Sequence, residues 1–248
     1  MELIRIASAD YDRYEELLLQ YDQLEKEAYF IQEAYIRVFG ELNNELFQGK
    51  IECIRLKKAI AWCQEKRNRG KQPDRTAMDG YLKVQMAAYR LQLEDMVQAW
   101  EKSQKMQPVS PMQVEKVKAI YRRLAKKLHP DINPLTKEDP VLYDLFQRVM
   151  IAYRCNDLTE LQGLEVLASK ALNEISGSSA VVVVDDIEEK IGELETRIGR
   201  LTTTEPYTLK EILEDPERVE KKKASIRKEI GEYEEYRKQL AEHLETLL

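Results

Sequence analysis

Turn formers and imidazoles are scarce in this chain: its 248 residues include 9 Gly, 8 Pro, 4 Phe and 2 His. A sheet-based domain of this length needs many turns and many aromatic or β-branched runs, so the shortage of both excludes that class. The two histidines, His129 and His243, come with no Gly-rich phosphate loop, no GxSxG and no HExxH. Nucleophilic and metal-dependent chemistries therefore lack their usual parts, and the chain reads as a non-enzyme with no cofactor and no metal. Cys53, Cys63 and Cys155 form no CxxC pair, and an odd count at wide spacing suits a reducing compartment better than a disulfide framework. The N-terminal residues contain no apolar core of signal-peptide length, and the conspicuous apolar run at 180–184 is too short to cross a bilayer. The expectation is a cytoplasmic protein with no integral membrane segment. A formal charge of -6 argues against a chain-wide nucleic-acid surface, which is normally built from net positive charge.

What the chain does have is charge and helix formers: 34% of its residues are charged and 43% are hydrophobic, too many hydrophobics for a disordered chain. The expected class is all-α. Tyr14, Leu17, Tyr21, Leu24, Ala28, Ile31, Tyr35 and Val38 alternate in steps of three and four, a heptad seam over residues 8–39. Gly40, Asn43 and Asn44 then offer a stop before a second helix over 44–69, with a weaker stripe through Phe47, Ile51, Ile54 and Ala61. A turn at 70–74 leads to a third heptad face through Leu82, Met86, Tyr89, Leu93, Met96 and Trp100. These three helices make a helical N-terminal module, residues 1–106. Prolines 108 and 111 bend the chain, and residues 107–175 form the next region. Small and polar residues from 176, then four valines, read as a linker over 176–186, the alternative being a short strand for which no partner strand is evident. Ile187, Ile191, Leu194, Ile198 and Leu201, then Val219, Ile226, Ile230, Tyr233, Leu240 and Leu244, form two further seams. Joined by a Pro-containing connection, they read as an antiparallel coiled-coil hairpin over 187–248.

One segment has more chemistry than packing requires. On a helix over about 112–128, Val117, Ile120, Tyr121, Leu124 and Leu128 share an apolar face, and Lys116, Lys118, Arg122, Arg123, Lys126 and Lys127 lie opposite. Residues 113–128 hold those six positive charges against Glu115 alone, a local balance of +5 within an acidic protein. Such a face attracts an acidic partner in a salt-dependent way. His129-Pro130-Asp131 follows at once, and Pro130 forces His129 out of the helical region, so an imidazole and a carboxylate project from the end of the basic helix. The plainer readings are a helix-terminal histidine that complements the dipole and a merely solvated basic face.

Tyr121, the Arg122-Arg123-Leu124-Ala125 run, Lys126, Lys127, the His129-Pro130-Asp131 tripeptide with Asn133 and Pro134, and the Phe146…Ala152-Tyr153 pattern together resemble the J domain of DnaJ-like co-chaperones. The resemblance spans roughly residues 105–160. It implies a helical hairpin with Leu124, Leu128, Phe146, Val149, Ala152 and Tyr153 in its core. It further implies that His129, Pro130 and Asp131 trigger ATP hydrolysis on a DnaK-type chaperone, with Lys118, Tyr121, Arg122, Arg123, Lys126 and Lys127 as docking contacts. The chain departs from the family pattern in five ways. The Tyr-x-x-Leu-Gly sequence of the usual first helix is missing, so the third long helix is expected to replace it, with Met96 or Trp100 against Tyr121 or Leu124. The basic residue often found after the tripeptide is Ile132. The Gln-Lys-Arg segment after the last helix is absent, and so are the Gly/Phe region and the zinc repeats. The implied function is a co-chaperone whose coiled coils recruit a client protein or assembly; heptad seams equally admit a homo-oligomer. The alternative is a helical scaffold with a J-like hairpin and no chaperone stimulation.

Overall fold

The computed structural model describes residues 9–105, 109–175 and 186–248, and within them the chain is all-α, with no strand. The helices are α1 (Ala9–Asn68), α2 (Arg75–Gln85), α3 (Ala87–Lys105), α4 (Pro111–Leu128), α5 (Leu135–Glu138), α6 (Pro140–Arg154), α7 (Leu158–Ile175), α8 (Ile187–Thr203), α9 (Lys210–Leu213) and α10 (Pro216–Leu247). The valine segment at 180–184 and Ser8, a residue whose type suits the N-cap of the expected 8–39 helix, fall outside the described residues.

Three of the described prolines start helices. Ser110, Asp139 and Asp215 each cap a helix whose next residue is proline, at Pro111, Pro140 and Pro216. Proline loses nothing at that position, because its missing N–H would be unsatisfied anyway, and its fixed φ suits the first turn. The Asp139 carboxylate accepts from the Val141 and Leu142 amides at 2.8 and 3.1 Å, and the Asp215 carboxylate accepts from the Glu217 amide at 2.9 Å. A cap of this kind contributes about 1 kcal/mol.

The chain divides into two compact units that interleave along the sequence: residues 1–29 with 107–207, and 30–106 with 208–248. The linear division expected from the sequence, at 106, 175 and 186, is not followed. The cause lies in α1, a single 60-residue helix where two helices with a stop at Gly40 were expected. Its first part belongs to one unit and its remainder to the other.

In the first unit α4 and α6 form an antiparallel pair, since Tyr121 meets Tyr153 while His129 meets Phe146. Val117, Tyr121, Leu124, Leu128, Leu142 and Val149 are almost fully buried between them, and Leu161 and Leu164 of α7 close the same core. All six core residues implied by the resemblance lie in this cluster. Leu19 of α1 completes it, the place expected for Met96 or Trp100. In the same unit the α8 seam turns Ile191 and Leu194 onto Tyr14 and Leu18 of α1.

In the second unit α2 and α3 run back along α1: Cys63 meets Met78, Gly40 meets Trp100, and the Arg37 guanidinium donates to the Ser103 carbonyl at 2.9 Å. The α10 seam lies on α1 as well, with Ile226 against Phe39 and Leu46, and Leu244 against Leu56 and Ile60. Each C-terminal seam is therefore satisfied by α1 within its own unit. This corrects the expected coiled-coil hairpin, in which the two seams face each other.

Gly40 is a packing residue instead of a helix stop. A Cβ at this position would lie 2.7 Å from Trp100 Cδ1 and 3.1 Å from its Cβ, and atoms so close to the ring base cannot swing away. Gly231, inside α10, has open space where its Cβ would be. Gly231→Ala should therefore gain about 0.5–1 kcal/mol from helix propensity. Gly40→Ala should lose about 1–3 kcal/mol through overpacking. Urea unfolding of the two variants measures the contrast, and equal shifts of the same sign would refute it.

Candidate functional site

The basic helix ends where the sequence places its end. His129 leaves the helical region with φ -62° and ψ 126°, and its amide still bonds the Ala125 carbonyl at 2.8 Å. Past Pro130 the chain folds back on itself, with the Ile132 and Asn133 amides donating to the His129 carbonyl at 2.9 and 2.7 Å. The Asn133 amide group reaches back to the Lys127 carbonyl at 2.8 Å, which ties the loop to the last turn of α4. Asp131 is held from two sides: its amide donates to His129 Nδ1 at 3.1 Å, and its carboxylate takes the Lys137 ammonium at 2.9 Å. With Nδ1 accepting, the ring proton of neutral His129 lies on Nε2.

Nε2 faces inward. The His129 residue is only 8% exposed, its ring edge meets Phe146 at 4.9 Å between centroids, and Nε2 lies 4.0 Å from the Asp22 carboxylate. Asp22 is itself buried and accepts a hydrogen bond from the Tyr121 hydroxyl; the tyrosine ring stacks on Tyr153 at 3.7 Å and 9°. The Lys26 ammonium stands 3.9 Å above the Tyr153 ring and donates to the Asn156 side chain at 2.6 Å. A continuous buried polar row thus runs from Lys26 through Tyr153, Tyr121 and Asp22 to His129, linking α1 with α4 and α6.

Burial sets the protonation of this row. It pushes the Asp22 carboxyl up to about 6, against the pull of the Tyr121 hydrogen bond. It pushes the His129 imidazole down to about 4, with Asp131 opposing, and the Lys26 ammonium down to about 8. It also raises the Tyr121 hydroxyl, together with the neighbouring Asp22 charge. For Asp131 burial works upward, but the Lys137 hydrogen bond and the nearby positive charges outweigh it and leave the carboxyl low.

The basic face divides in two. Lys126 pairs with Glu15 and Arg122 with Glu16, both on α1, and Arg123 forks onto Glu165 of α7 at 2.8 and 3.1 Å. Lys116, Lys118 and Lys127 have no ion-pair partner among the described residues, and Lys127 is exposed. Of the nine residues implied as trigger or docking contacts, the structure brings all onto one helix and its terminal loop, yet Tyr121 and His129 are buried and three of the cations, Arg122, Arg123 and Lys126, are occupied.

The residues that the sequence reading missed are on α1. Glu15, Leu19, Asp22 and Lys26 follow one another in steps of four, three and four, a second stripe beside the heptad seam, and all four are buried. The signal was present in that spacing, but three of the four are charged, and charged residues between seam positions read as solvated. Ile132 also finds its reason here. It is buried against Tyr14 and Leu18 of α1 and Ile191 and Leu194 of α8, and its carbonyl accepts the Tyr11 hydroxyl at 3.2 Å. A basic side chain at that position would be buried in an apolar cluster.

Asp22 and His129 act on stability with opposite sign. The folded chain holds a proton on Asp22 below about 6, whereas the unfolded chain takes it only near the ordinary 3.8, so acidification through that window stabilises the fold. His129 is protonated near the ordinary 6.5 when unfolded and only near 4 when folded, so acidification destabilises. The two windows nearly overlap and offset one another. Relative to wild type, Asp22→Asn should lose stability as the pH falls from 6 to 4, and His129→Gln should gain it. Each slope is bounded by about 1.4 kcal/mol per pH unit. Urea unfolding at pH 7, 6, 5 and 4 checks this; three parallel curves would remove both titrations from the account.

Among the described residues, no helix is long and apolar enough to cross a membrane, and no group of His, Cys, Asp or Glu side chains is placed to hold a metal ion. Comparison with protein-family models, with curated proteins and with solved structures finds no match.

Proposed function

We propose that the chain is a J-domain co-chaperone: α4 and the His129-Pro130-Asp131 corner dock on a DnaK-type chaperone and stimulate its ATP hydrolysis. The observation that carries this reading is the corner itself. A strongly basic helix ends in an extended histidine, a proline and a charge-paired aspartate, and the antiparallel partner α6 braces the corner through Phe146. The bond broken lies in ATP on the partner, so the chain needs no catalytic group of its own. Lys116, Lys118 and Lys127 supply the unpaired positive charge that steers an acidic partner. The α8 and α10 seams are engaged by α1, so recruitment of a client or assembly falls to the other faces of those helices.

A second reading, a helical scaffold without chaperone stimulation, is favoured by one observation: His129 and Tyr121 are 8% and 1% exposed. Single-turnover ATP hydrolysis by a DnaK-type chaperone from the same source separates the two. At saturating chain concentration the wild type should raise the rate and His129→Gln should not. Equal rates with the two proteins would sink the co-chaperone reading.

Docking should also depend on salt. Reversing Lys118 and Lys127 to Glu should raise the half-saturating concentration several-fold at low ionic strength and little at high, because exposed charges act over about 10 Å at 0.1 M salt. An unchanged salt profile would remove these two residues from the docking face.

A further inference from the structure

We infer that the N-terminal part of α1, with α8 beside it, is a built-in cover for the docking face, so that the chain exists mainly in a latent form. The inference rests on the co-chaperone reading and adds the regulation of that same site.

The contacts on α1 are of the kind an acidic docking partner would make. Glu15 takes Lys126, Glu16 takes Arg122, and Asp22 takes the Tyr121 hydroxyl. These three α4 side chains all belong to the implied docking set, and a carboxylate on α1 engages each one. The His129 imidazole is enclosed behind the same helix. While α1 is in place a partner cannot reach Tyr121 or the His129 imidazole, and must compete with Glu15 and Glu16 for Lys126 and Arg122.

Ile132 supports the inference independently of the charges. Its apolar side chain sits in a cluster formed by α1 and α8 together. The loop after the tripeptide is thus shaped to be covered, because with the cover lifted Ile132 would lose its apolar neighbours to water. The α8 helix is clamped to α1 beyond that cluster too, by the Arg13–Glu195 ion pair and by Arg197 over the Tyr21 ring at 4.2 Å.

The cover is also built to come off. The Arg122–Glu16 pair is partly to largely exposed and contributes little, and Lys126 keeps its ammonium at the surface although its partner Glu15 is buried. Removing the cover leaves the main α4, α6 and α7 core intact apart from Leu19. If the docking-competent form is about a tenth of the population, the apparent affinity for the chaperone is about ten-fold weaker than that of the open form.

Two full-length variants test this. Glu15→Lys with Glu16→Lys sets like charges against Lys126 and Arg122. Leu18→Glu puts a charge into the Ile132 cluster and leaves the main core alone. Circular dichroism checks that helix content is kept, and amide hydrogen exchange over α4 reports whether the face has opened. Both variants should exchange faster along α4. Both should half-saturate single-turnover hydrolysis by the DnaK-type chaperone at about ten-fold lower concentration than wild type. Adding His129→Gln to either should abolish the stimulation. Equal half-saturation by wild type and opened variants would overturn the cover and leave the co-chaperone reading standing. Unchanged exchange along α4 in both variants would overturn it as well, since these contacts would then not hold the face closed. Faster exchange with no stimulation by any of the chains would overturn the co-chaperone reading, and the cover's regulatory role with it.

Discussion

The buried hydrogen bond from the Tyr121 hydroxyl to Asp22 fixes how α1 meets the hairpin of α4 and α6. A buried carboxylate without partners is costly, so a structure that encloses one must supply donors and set it in register. The tyrosine is in turn stacked on Tyr153, and that ring lies under Lys26 one α-helical turn beyond Asp22. Shifting α1 along its axis by a single turn would break the Asp22 and Lys26 contacts at once, and would move Leu19 out of the core. Packing by apolar side chains alone tolerates such slips far better than a row of polar groups that must all be satisfied.

The first part of α1 therefore does two jobs with adjacent stripes. The stripe through Tyr14 and Leu18 meets α8 and the loop at Ile132, while Glu15, Leu19, Asp22 and Lys26 meet the hairpin. The mixture of apolar and charged contacts suits a reversible contact better than a permanent one, because the charged groups are all comfortable in water once released. The neutral imidazole of His129 and the raised carboxyl of Asp22 show what enclosure costs: each is held in, or moved toward, its uncharged form by burial.

Much of this was legible in the sequence. Low glycine and proline with heptad spacing gave the all-α class, and the apolar face of α4 together with Phe146, Val149, Ala152 and Tyr153 lies in the main buried cluster. The end of the basic helix fell where Pro130 requires. What could not be read is which seam meets which. Heptads define an apolar edge without naming its partner, so two C-terminal seams that suit each other equally suited the long α1. Gly40 misled for a physical reason: its missing Cβ looks like a helix stop in one dimension and is a close approach of Trp100 in three. The buried charges of α1 were hidden because periodicity assigns burial by hydrophobicity, and these residues are buried by pairing.

The capped prolines carry a consequence for chain length. Ser110 and Pro111 set where α4 begins, and Pro130 sets where it must end, so its 18 residues form a rod of about 27 Å with both ends fixed by local chemistry. Each added or removed residue would turn His129 by about 100° around the helix axis relative to Tyr121. One insertion would aim the imidazole away from both Phe146 and Asp22 while every cap and every side chain identity stayed the same. The spacing between the two prolines is thus a structural quantity in its own right, one that substitution scanning of single positions would never register.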